Sequence, residues 1–213
     1  MRSYNKFFLI ILILCIQAYV SYGQLKIDQN FKLDENSQSV QEFTKQSKFD
    51  YVLLHWSTSN WFNSTNEFTG VVKQYGQWYA VHIIRKINYK PDVSEPIIVT
   101  QKHLTHHQKD SLLRVLKADA AFNYRQKDFD SLPDTCSYMK NGVKFTRYNV
   151  MDANHEHLIR YTKSKFTYLN RYAPDYALEL FAICNPKFNI LKDYTYTIHR
   201  LYDLSKAITN QTP

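Results

Sequence analysis

The chain has 213 residues, with 27 Lys and Arg against 19 Asp and Glu, 44% hydrophobic and 22% charged, a globular rather than a disordered balance. Arg2 and Lys6 are the only charges in residues 1–23, so the remainder carries 25 basic and 19 acidic side chains, a net charge of +6. That remainder holds only Gly70, Gly76 and Gly142, which excludes a glycine-rich phosphate loop of the Rossmann or P-loop kind and the nucleotide cofactors such loops hold.

The N-terminus reads as an export signal. Arg2 and Lys6 precede an unbroken apolar run over 7–16, and Ser21-Tyr22-Gly23 places small residues at −3 and −1 before Gln24. The run falls short of the ~20 residues that span a bilayer, so the processed protein is not expected to be transmembrane. Small residues followed by Gln resemble the signal peptides of exported Bacteroidetes proteins, a likeness that concerns routing only. The expectation is a signal peptide over 1–23 and a single domain over 24–213, periplasmic or extracellular. In an oxidising compartment the two remaining cysteines, Cys136 and Cys184, predict one disulfide closing a loop of about 50 residues. The alternative is two separate buried thiols. No Cys-x-x-Cys points to thioredoxin-type redox chemistry.

Along the chain, Val40 to Phe43 fit a short helix, and residues 51–56 form a continuous apolar run of buried-strand length. Segments 68–73 and 78–87 flank Gln74-Tyr75-Gly76-Gln77 as a hairpin, and Ile97 to Val99 form another short strand. Thr105 with Gln108 is a capping box, followed at helical spacing by Leu112, Leu113 and Leu116. A further helical stretch is expected over 118–127, then a second hairpin of 142–151 with 156–162 around Asp152-Ala153-Asn154. Pro174 opens a helix to Cys184, which Asn185-Pro186 stops. Leu191, Tyr194, Ile198, Leu201 and Ser205 trace one face of a last helix. Hairpins and grouped helices predict an α+β fold, a small antiparallel sheet with several helices packed on it and helices at the C-terminus.

Eight histidines are the most suggestive chemistry. On a strand, His155 and His157 share a face, as a two-histidine zinc site requires, and Asp152 across the turn would be a third ligand. The spacing is not the His-Glu-x-x-His of zinc proteases. A calcium loop starting at Asp152 fails, because His157 stands where Gly is needed and Lys163 where the bidentate Glu should be. His103, His106 and His107 crowd a helix start, where the dipole disfavours protonated imidazoles. His55 and His82 lie in strand-like runs. Glu179, in an apolar helix, is the acid expected to be partly buried. No Gly-x-Ser-x-Gly elbow is present.

Twenty-eight aromatic residues follow residue 23. Between 160 and 172, rings alternate with cations, and Arg160, Tyr161, Lys163, Lys165, Phe166 and Tyr168 form the expected contact surface for a polyanion. Export argues against nucleic acid and for a polysaccharide or another anionic envelope component. The leading expectation is therefore a binding protein without a cofactor. The alternative is a metal-dependent hydrolase using zinc on Asp152, His155 and His157.

Overall fold

The computed structural model describes residues 36–58, 65–86, 97–117, 120–133, 135–148, 153–163, 165–184 and 188–209, with Leu25, Ile27 and Leu33. The export segment and Asp152 lie outside the described residues, as do the side chains of Leu113, Leu116, Cys184 and Ser205. Among the described residues, no helix is long and apolar enough to cross a membrane.

Helix α1 (Ser37–Gln46) is capped by Asn36, whose side chain accepts the Ser39 N–H. Strands β1 (Tyr51–Thr58), β2 (Thr65–Gln74), β3 (Gln77–Lys86) and β4 (Ile98–His103) form a meander. The β2–β3 connection is a two-residue turn, Tyr75 and Gly76, both at positive φ, the type I′ pattern that matches strand twist. The predicted capping box starts α2 (His106–Lys117): Gln108 accepts the Thr105 N–H while Thr105 Oγ1 accepts the Gln108 N–H. The single helix expected over 118–127 is instead a 3₁₀ turn, Ala120–Asn123, and the short α3 (Gln126–Asp130). Strands β5 (Thr135–Lys140), β6 (Val143–Tyr148), β7 (His155–Thr162) and β8 (Lys165–Tyr172) follow, then α4 (Pro174–Cys184) and α5 (Phe188–Thr209).

The small sheet with several helices is corrected by the observed pairing. Among the described residues, six antiparallel strands in the order β4-β3-β2-β1-β7-β8 make one large sheet, β5 and β6 make a separate ribbon, and strand is the larger share. The expected pairing of 142–151 with 156–162 does not form. Asn141 and Gly142, both at positive φ, turn the chain between β5 and β6, so that β6 is spent on β5. That leaves β7 to pair with β1, a strand about a hundred residues earlier, and to carry β8 beside it.

Both faces of the large sheet are covered, which is why β1 reads as a continuous apolar run. Leu53, Val71, Ala80, Leu158 and Leu169 pack with Leu191, Tyr194, Ile198 and Leu201 of α5, and with Phe129 of α3. On the opposite face, Val52, Leu54, Trp56, Phe68, Val81 and Ile159 pack with Val40 and Phe43 of α1. Each fully buried side chain of this size contributes ~1.5–3 kcal/mol.

Candidate functional site

Antiparallel pairing sets Trp56 opposite His157, Ser57 opposite Glu156, and Thr58 opposite His155. Since alternate strand residues point to opposite faces, this end of β1 and β7 carries two separate polar assemblies.

On the α5 face, one carboxylate ties three strands together. Glu156 Oε2 lies 2.6 Å from His55 Nε2, and Glu156 Oε1 accepts the Ser57 hydroxyl at 3.0 Å. His55 Nδ1 is 3.5 Å from the Thr69 hydroxyl on β2. Beyond Thr69, opposite it on β3, His82 lies 3.2 Å from Glu67. The Tyr194 hydroxyl of α5 donates to the Glu156 carbonyl, and burial pushes that phenol well above its ordinary pKa. The assembly lies beneath the last helix, with His55 and His82 both buried.

On the α1 face, His157 lies flat on Trp56, with ring centroids 4.9 Å apart and planes 8° from parallel. Tyr168 stacks at 5.9 Å from His157. The Tyr168 hydroxyl accepts from the Asn170 amide at 2.9 Å and is 2.7 Å from His157 Nδ1. His157 Nε2 lies 2.8 Å from the Thr58 hydroxyl, so both ring nitrogens have partners. Burial first, then the neighbouring His155, lowers the His157 pKa to about 4, while Glu156 opposes the shift. Asn170 is held in turn by Gln126, whose Oε1 accepts the Asn170 N–H at 2.8 Å and whose Nε2 donates to the Asn170 carbonyl at 3.0 Å.

His155 and His157 do share a face, as the strand period required. Their rings stack 28° from parallel with centroids 6.2 Å apart, and His155 also packs on Tyr172. Both nitrogens of His157 are already hydrogen-bonded. Among the described residues, no group of three His, Cys, Asp or Glu side chains is placed to hold a metal ion.

The β7–β8 hairpin separates what the sequence interleaves. Arg160 and Lys165 project to the α5 face, where the Arg160 guanidinium covers the Phe122 ring at 4.5 Å. Tyr161, Phe166 and Tyr168 project to the other face and pack against the α1-side core. Lys163, at the turn, pairs with Asp50 at 3.1 Å. The six residues do not form one surface, because period-two alternation sends cations and rings opposite ways. Elsewhere, His103 meets Gln77, His106 pairs with Asp110 and His199 with Asp175, while Glu179 is exposed rather than partly buried.

The β5–β6 ribbon behaves differently. Cys136 anchors its base, 3% exposed against α4 with Sγ 3.5 Å from the Leu180 carbonyl, and is disulfide-bonded. Past that residue the ribbon is presented to solvent, with Met139 65% exposed, Val143 56% and Phe145 42%. Tyr138 stacks on Phe145 at 5.6 Å, and the Arg147 guanidinium lies 5.8 Å from the Tyr138 ring. Lys140, Lys144 and Arg147 are exposed, and residues 135–148 contain no acid. Sequence reasoning missed this surface. The signal was Asn141-Gly142, the dipeptide that most strongly marks a two-residue hairpin.

No family model, curated protein or solved structure matches the chain.

Proposed function

We propose that the protein is exported and works by binding an anionic component of the cell envelope rather than by catalysis. Support comes from the contrast between two classes of side chain. His55, Glu156 and His157 are spent on hydrogen bonds that join strands. Cations and large apolar groups, by contrast, are presented together on the β5–β6 ribbon, whose residues 135–148 include no acid. Such a surface attracts anions at a distance and gains contact area on arrival. The contact surface accordingly moves from the β7–β8 hairpin to β5–β6.

The test is binding of the processed protein to dextran sulfate and to vesicles containing phosphatidylglycerol, across a salt series. Binding to at least one of these, weakening steeply with salt, is the expected result. Failure to bind either at low salt removes the reading. Near-stoichiometric zinc in protein purified without a histidine tag, lost when His155 and His157 are both changed to Ala, would replace it with the metal-dependent hydrolase.

A further inference from the structure

We infer that the β5–β6 ribbon is a membrane-surface anchor whose tip enters the interface of an anionic lipid bilayer. This rests on the binding reading above and narrows its ligand to lipid. The distribution of side chains around the ribbon carries the inference. Register pairs Tyr138 with Phe145 and Lys140 with Val143, so Tyr138, Lys140, Val143, Phe145 and Arg147 lie on one face. Met139 and Lys144 are paired on the other. Large apolar groups and cations therefore occur on both faces of the same tip, and all of them but the half-buried Tyr138 are exposed.

A protein groove or a single polymer strand covers one face of a ribbon and leaves the other in water. A bilayer interface surrounds the tip, so apolar groups on both faces are buried at once. Lys and Arg stems lie along the same apolar surface while their charged ends reach the headgroups. Three cations without an acid match anionic headgroups, and one apolar tip with a basic cluster is the two-part signal that holds a protein at a membrane. The ribbon is built to project. Among the described residues it forms no ladder with the large sheet, and its base is fixed through Cys136 against α4. The turn at Asn141 and Gly142 closes the tip with two residues, leaving no floppy loop to order on insertion.

The experiment is flotation of the processed protein with vesicles of phosphatidylcholine alone and of phosphatidylcholine mixed with phosphatidylglycerol, with dextran sulfate as a soluble polyanion. The expected result is binding to the mixed vesicles, reduced about fivefold by each of Lys140→Gln and Lys144→Gln. Val143→Asp and Met139→Asp should each reduce it by a similar factor or more, and Phe145→Trp should report insertion by a blue shift on mixed vesicles only. These positions are exposed, so the variants keep the fold. Vesicle binding that is indifferent to all four substitutions overturns the anchor while leaving the binding reading intact. So does tight binding to dextran sulfate with none to vesicles, which makes the ligand a polymer. Binding to neither overturns both.

Discussion

His157 is a buried base held neutral. Its lowered pKa, about 4 against an ordinary 6.5, means the unfolded chain takes up the proton more readily than the folded one. Stability from this residue is fully present above about pH 6.5 and is lost as pH falls toward 4. Between pH 7 and 5 the linkage amounts to about 2 kcal/mol. Urea midpoints at the two pH values should show that loss in the parent protein. In His157→Phe, which keeps a ring on Trp56 but cannot take the proton, most of the pH difference should vanish although the variant is less stable at pH 7. An unchanged pH difference would assign the acid sensitivity to another group. The neutral imidazole is not a spare ligand. It holds Thr58 and Tyr168 together across β1, β7 and β8, which is the work its two nitrogens do.

Among the elements, β2 has no room for a side chain at Gly70. Gly70 sits opposite Leu54 in the β1–β2 ladder, and a Cβ there would meet the Leu53 carbonyl oxygen at 2.0 Å and Leu54 Cα at 2.9 Å. These are backbone atoms in the middle of the sheet and cannot swing aside. Gly70→Ala should therefore cost about 3 kcal/mol or more, measured by urea denaturation. A cost under 1 kcal/mol would show that the two strands can separate locally. Elements with local signals were readable from sequence: the capping box of Thr105 and Gln108, the turn at Tyr75-Gly76, Pro174 before α4, and the stripe of Leu191, Tyr194, Ile198 and Leu201. The β1–β7 pairing was not, because its partners are remote in the chain and nothing near 155–162 names β1. The candidate site suffered the same way. The alternation of Arg160, Tyr161, Lys165 and Phe166 is visible in one dimension, but the two faces it divides between appear only once β7 and β8 are in register. The β5–β6 turn carries a local signal of its own in Asn141-Gly142, while the polar run at Asp152 resembles a turn without being the one that pairs β6.

At the scale of the whole molecule, Cys136 joins the exposed ribbon to the helical layer. The cysteine expected to pair with it is Cys184, which lies one helical turn beyond Leu180 on α4. The processed protein should show no free thiol when unfolded without reductant, and reduction should lower its stability by about 2–4 kcal/mol. Cys184→Ser should have the same effect as Cys136→Ser, and the double variant no more than either alone. Two reactive thiols in the untreated protein would show that the bridge does not join this pair.

The large sheet ends at β8, and an outermost strand ordinarily offers bare amides and carbonyls to any passing chain. At Asn170 the carboxamide of Gln126 reproduces both bonds that another strand would make, one received and one given. A single side chain thus acts as a one-residue counterfeit strand, closing that position to recruits. That plug leaves the β8 edge with one fewer place at which a second chain could add by strand pairing.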